Sequence, residues 1–287
     1  MSSKYQPQLF GWFADLDKGA CYRSELDEEL IYTNNTFCMI GRFRQNERLQ
    51  HNILFSLVFV LCVFLIIGSF HSFIYKYFLY FNYSSYLRIG NDIFLIAILM
   101  NIISIFLCYC LILPELFRAF FSPKDSPIVF NRKTNKVYIN ESEFFSFKPR
   151  FHPKYLLHPR KKTIKEYDWA DLHGVAISNY SKVSKNTIML MACKPGTYEV
   201  ERHIILDHGR SGLLNLSRWG WINNYLVNYD LYDEHGEGKL LNLAYYEQQT
   251  ADADLTVYGW PQWMLEAFNA RSLEELAQIK QQHGIKE

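Results

Sequence analysis

The sequence predicts an α+β membrane protein: a transmembrane helical hairpin joined to a β-rich domain with a C-terminal helix. Three observations predict this class. Residues 53–75 and 93–113 contain no Asp, Glu, Lys or Arg. From Pro127 onward, short alternating runs broken by turn residues read as strands. A helix with Trp219, Ile222 and Leu226 on one face follows them.

The two charge-free stretches set the expected organisation. At 1.5 Å per residue they reach about 34 and 31 Å as helices, enough for a hydrocarbon core of about 30 Å. They leave all 59 charged side chains to the other 243 residues, a density ordinary for folded domains outside a membrane. The expected organisation is an N-terminal segment 1–52, spans at 53–75 and 93–113, an external loop 76–92, a β-rich domain 124–236 and a mostly helical tail 237–287. Residue 53 lies too far from the start for a cleaved signal peptide. Arg42, Arg44 and Arg48 precede the first stretch, Arg118, Lys124, Arg132 and Lys133 follow the second, and only Lys76 and Arg88 lie between. The positive-inside rule then puts both termini in the cytoplasm of a multi-pass protein of the bacterial inner membrane. Asn101 and Ser104, one turn apart in the second stretch, are the expected intramembrane polar contact: a hydrogen bond across the hairpin or to the helix's own carbonyls, or else part of a polar pathway or a contact in a homo-oligomer.

Outside these stretches the patterns are those of a β-rich fold. Leu9, Phe10, Trp12 and Phe13 are apolar enough to need a partner surface, and 52 residues bury little surface alone, so this segment is expected to dock on the main domain. Residues 30–32 and 37–40 read as a hairpin turning at Asn34-Asn35, and 128–131 with 136–140 as a second. Further strands are expected at 143–147, 164–169, 174–178, 187–193 and 199–206, then a helix opening near Ser217. Seven short strands and a closing helix are the order of a pleckstrin-homology-like split barrel. In the tail, Met264, Leu265 and Phe268 share a face, and Ser272 with Glu275 forms a capping box for a last helix.

The order of parts resembles a known family. Gly11-Trp12, the paired apolar stretches, Pro127 to Arg132 with Lys136-Val137-Tyr138, Asp168-Trp169 and the Trp219 helix resemble an uncharacterised bacterial two-span membrane-protein family often encoded near type VI secretion and Rhs-type toxin genes. The resemblance covers residues 9 to 230. It implies an inner-membrane protein acting as an immunity or accessory factor, and it carries no catalytic residues.

Candidate chemistry is sparse. A net charge of +1 recruits no nucleic acid. The six cysteines form no zinc-type spacing and read as small hydrophobes. His203, Asp207 and His208 lack a third ligand, His152-Pro153 and His158-Pro159 read as extended backbone, and Ser211 stands in no nucleophile motif. Arg160, Lys161, Lys162 and Lys165 form the notable basic cluster, read either as a contact for anionic headgroups or as a solvated loop. No cofactor or metal is expected. The function expected is non-enzymatic binding of a protein partner, a toxin or secretion component, as an immunity or accessory factor. The alternative is a membrane-tethered scaffold or sensor whose domain binds a peptide or anionic lipid headgroups.

Overall fold

The computed structural model describes residues 3–19, 26, 29–42, 126–141, 145–146, 160–161, 164–179, 185–207, 216–228 and 241–285, and helical pieces within 53–71 and 96–106. The chain divides into two compact units. The first holds Met1–Arg44, Pro123–Ser142 and Thr163–Glu287; the second holds Gln45–Ser122 and Glu143–Lys162.

The first unit is built on two antiparallel sheets. Strands β1 (Trp12–Leu16), β2 (Leu30–Thr33), β3 (Phe37–Ile40), β4 (Ile128–Asn131) and β5 (Lys136–Ile139) come first. Two short strands of the second unit, β6 (Phe145–Ser146) and β7 (Arg160–Lys161), pair with each other. The chain then returns to the first unit with β8 (Lys165–Asp168), β9 (Leu172–Asn179), β10 (Lys185–Cys193) and β11 (Val200–Asp207). Four strands are ordered β1-β9-β10-β11, and five are ordered β2-β3-β4-β5-β8. Helices α1 (Ser217–Asn228), α2 (Leu243–Thr250), α3 (Gln262–Phe268) and α4 (Leu273–Gln282) follow.

Alternation along the strands explains the layering. Successive side chains of a strand point to opposite faces. In the five-stranded sheet Cys38, Ile40, Ile128, Phe130, Val137 and Ile139 enter a core shared with Leu172, Ile188, Leu190, Ala192, Ile204 and Leu206 of the other sheet. Their neighbours Phe37, Met39, Val129 and Tyr138 face the opposite way, onto Trp260, Met264, Phe268 and Leu276 of the C-terminal helical region. All of these strand residues are buried, so the strands read as unbroken apolar runs. The four-stranded sheet has its own outer cluster, Val175, Ile177, Met191, Cys193 and Val200, covered by Tyr5, Leu9 and Trp12 of the N-terminal segment.

Helix α1 closes the shared core. Trp219, Trp221, Ile222 and Tyr225 are buried in it, and Leu226 packs against it partly buried. Trp219 lies 5.6 Å from the Trp169 ring and donates its indole N–H to the Asp17 carbonyl at 2.8 Å. It sits directly on Gly174: a Cβ there would lie 2.7 Å from two atoms of the Trp219 ring.

Two expectations are corrected. The transmembrane hairpin, with the multi-pass inner-membrane location and cytoplasmic termini inferred from it, does not stand, because among the described residues no helix is long and apolar enough to cross a membrane. The described residues of both charge-free stretches are helical. The expected external loop 76–92 lies outside the described residues. The single split barrel is corrected as well. Both faces of each sheet carry apolar side chains, so the strands form two separate sheets, and β1 and the β2–β3 hairpin from the N-terminal segment complete them.

The Trp219 contact generates a stability prediction. Gly174→Ala is expected to destabilise the protein by about 1 to 3 kcal/mol through overpacking, read as a lower midpoint in chemical denaturation followed by tryptophan fluorescence. An unchanged midpoint would mean that the helix does not rest on β9 as described.

Candidate functional site

The outer side of the four-stranded sheet gathers the side chains with most to offer. The chain enters β1 through a turn in which Trp12 donates its N–H to the Leu9 carbonyl at 3.2 Å. Gly11 in this turn has φ +79°, and Ser178 donates its N–H to the Gly11 carbonyl at 2.8 Å. A Cβ at Gly11 would stand 2.8 Å from the Ser178 carbonyl oxygen, so glycine alone allows this approach. The turn holds Phe10 outward at 95% exposure. Register shifts between Trp12 and Ala14, so Phe13 is the extra residue of a bulge, and it is 62% exposed. Trp12 instead packs inward and donates its indole N–H to Asp15 at 2.8 Å. The Asp15 carboxylate also accepts from the Ser3 hydroxyl at 2.7 Å and the Lys4 amide at 2.9 Å. Burial pushes its pKa up, but the bonds from Lys4, Ser3 and Trp12 outweigh this and hold it below the ordinary carboxylate value.

Lys18, just past β1, meets the three-residue helical turn Trp169–Asp171. Its ammonium donates to the Trp169 carbonyl and, at 3.2 Å, to the Ala170 carbonyl, and lies 4.5 Å from the Trp169 ring centre. Burial lowers its pKa to about 8, against the opposing pull of Asp171 and Cys193. Burial likewise lowers His173, with Lys18 adding to the effect, and raises the Cys193 thiol. Tyr5 stacks on His173 with ring centres 4.7 Å apart and meets Tyr198 edge-on at 5.8 Å. Burial and Asp15 push the Tyr5 hydroxyl up to about 12. A raised thiol is a poor nucleophile, and the lysine hydrogens are engaged by carbonyls. This arrangement fastens the N-terminal segment and does not assemble a nucleophile with its base. Among the described residues no group of three His, Cys, Asp or Glu side chains is placed to hold a metal ion.

The residues singled out in the sequence are scattered. Arg160 and Lys161 form β7 in the second unit, Lys165 is exposed on β8 in the first, and Lys162 lies outside the described residues. The basic cluster is thus divided between the two units. Asn101 is helical and half-buried in the second unit, while Ser104 lies outside the described residues. His203 sits on β11 opposite Met191, and Asp207 ends that strand. His152, His158, His208 and Ser211 lie outside the described residues. Sequence reasoning marked Phe10 and Phe13 as apolar residues in need of a surface but missed Lys18, whose partners lie some 150 residues away with no local spacing to announce them.

Comparison with known proteins adds one match. Residues 104–236 are similar to a family described as of unknown function, DUF6708. No curated protein and no solved structure matches the chain. The comparisons therefore attach neither secretion nor immunity to it, which corrects those two expectations as descriptions of the protein.

The depressed Lys18 sets a pH dependence of known sign. Between its folded value near 8 and the ordinary lysine value of 10.5 the unfolded chain binds more protons than the folded one. Stability attributable to Lys18 therefore rises with pH across that window. Cys193 and Tyr5, both raised, act in the opposite direction at higher pH. In the comparison with Lys18→Met the Tyr5 contribution cancels, and loss of the Lys18 charge, which holds the Cys193 thiol down, shifts the difference in the same direction. Wild type is expected to gain stability relative to Lys18→Met from pH 8 to 10 in denaturant titrations; a constant difference would show that the ammonium is not desolvated.

Proposed function

We propose that this protein is a non-enzymatic binding protein that meets a protein partner in stoichiometric contact through Phe10 and Phe13. The observation that carries the reading is the presentation of Phe10, 95% exposed on a turn that only glycine at position 11 permits. Interface hot spots are large anchors held rigidly before binding, because immobilising a loose side chain on association costs affinity. The polar groups around the turn are engaged in internal hydrogen bonds, which supports contact over catalysis. The resemblance in motif order to proteins encoded near toxin genes supports a toxin as the partner. The tethered-scaffold alternative has less support, because among the described residues no helix is long and apolar enough to cross a membrane and its basic cluster is divided between units.

The test is binding to the product of a toxin gene adjacent to this one, measured by calorimetry. Phe10→Ala and Phe13→Ala are each expected to weaken binding about tenfold or more while leaving the denaturation midpoint unchanged, and His203→Ala is expected to leave affinity intact. Unchanged affinity in the double Phe variant would overturn the reading. So would neutralisation of many partner molecules by one copy of the chain.

A further inference from the structure

We infer that the helical residues within 53–71 form a dimerisation element, whose partner is the same face of a second copy of this chain. The described side chains divide by side of the helix. Ile53, Leu57, Val60, Phe64 and Ile67 are 49 to 70% exposed. They recur at alternating intervals of four and three residues, which places them on one stripe. Val58, Phe59, Cys62 and Val63 fall on the opposite side and are half-buried. One side of the helix is thus packed within the chain, and the other is turned outward. The inference does not rest on the role proposed for Phe10 and Phe13, which lie in the other unit.

Spacing and charge specify the occupant. Alternation of four and three is the repeat with which a helix presents a continuous apolar seam to a like helix. At one end of the stripe Ile66, Ile67, Phe70 and His71 line a shallow apolar hollow. It lies between two rows of residues four apart, the kind of groove that receives a side chain of a facing helix. In a two-fold interface the same patch meets itself, so a charge near the axis would repel its own copy. Residues 53–75 hold no Asp, Glu, Lys or Arg, which is the composition that self-docking requires.

The area is that of a stable dimer. Leu54, Leu61 and Phe70 are also more than half exposed beside the stripe. At about 100 Å² of apolar surface per side chain, the face offers roughly 800 Å², the share of one partner in an interface of standard size. A monomer rarely leaves so large a contiguous apolar patch in water. The second charge-free stretch supplies further surface of the same kind, with Ile96, Leu99, Ile103 and Phe106 exposed.

The experiment is sedimentation equilibrium of the full chain in aqueous buffer, with flotation against neutral phosphatidylcholine vesicles in parallel. The expected mass is twice the 34.0 kDa of one chain, with the chain staying out of the vesicle fraction. Any other mass would overturn the inference, and so would recovery with the vesicles, which would assign the stripe to lipid. Phe64→Glu, which sets like charges near the axis, is expected to weaken self-association about a hundredfold. Phe64→Ala, which removes the contact without adding charge, is expected to weaken it about tenfold. Val257→Glu, at a comparably exposed apolar position of the first unit, is expected to leave it unchanged. Far-ultraviolet circular dichroism is expected to match wild type in all three, because these side chains are exposed. Self-association that survives both Phe64 substitutions, or that Val257→Glu weakens as much as Phe64→Glu does, would overturn the assignment.

Discussion

The structure depends on the core between the two sheets and on the requirement that each sheet also bury its far side. A strand that is apolar on both faces cannot rest at a surface without exposing half of its hydrophobic side chains, each worth roughly 1.5 to 3 kcal/mol on burial. Phe37, Met39, Val129 and Tyr138 therefore demand the C-terminal helices, and Val175, Ile177 and Met191 demand the N-terminal segment. Both ends of the chain are recruited to one unit for the same reason. The candidate site follows from this constraint: the segment that covers the outer face must turn to enter β1, and that turn sets Phe10 outward.

Polar ties fix the parts that apolar contact leaves free to slide. Arg218 on α1 pairs with Glu29 at 3.1 Å, both nearly buried, and also donates to the Leu206 carbonyl at 2.8 Å. Arg202 on β11 meets Glu141 just beyond β5, joining the two sheets. Asn131 donates to the Phe268 and Ala270 carbonyls at 3.0 Å each, and Asn140 to the Tyr258 carbonyl at 3.1 Å, holding the C-terminal helices to the five-stranded sheet. On its edge, Lys136 pairs with Asp168 at 2.8 Å and Lys280 of α4 with Glu166 at 2.9 Å. A buried pair such as Arg218–Glu29 adds little net stability but is costly to break singly, so it selects one arrangement of covers among several apolar ones.

Local signals in the sequence were sufficient wherever the structure is local. The turn at Asn34 lies where the residue type places it, because its side-chain oxygen accepts from Thr36 and Phe37 at 2.7 and 2.8 Å. The β4–β5 turn is built the same way by Asn131, which accepts from Lys133 and Thr134, with Asn135 at φ 53°. Ser272 caps α4 through the Glu275 amide at 3.2 Å. What could not be read is non-local. Period-two alternation says that a strand has two faces, but not which sheet it joins or what covers it, so nine strands in two sheets resembled one barrel. Likewise β1 carries a bulge that breaks its alternation, and it went unrecognised. The charge-free stretches gave the strongest local signal and the largest error. Absence of charge reports only that side chains are apolar, which a membrane span and a buried helix share.

Native-state hydrogen exchange tests most directly whether N-terminal, central and C-terminal segments form one doubly covered unit. Amides of β3, β4 and β9 lie in three segments far apart in sequence, yet all stand between covered faces. They are expected to share one opening free energy, equal to that of global unfolding. Exchange of β9 at a markedly lower free energy than β3 and β4 would show that the two sheets open independently, and would contradict the shared core.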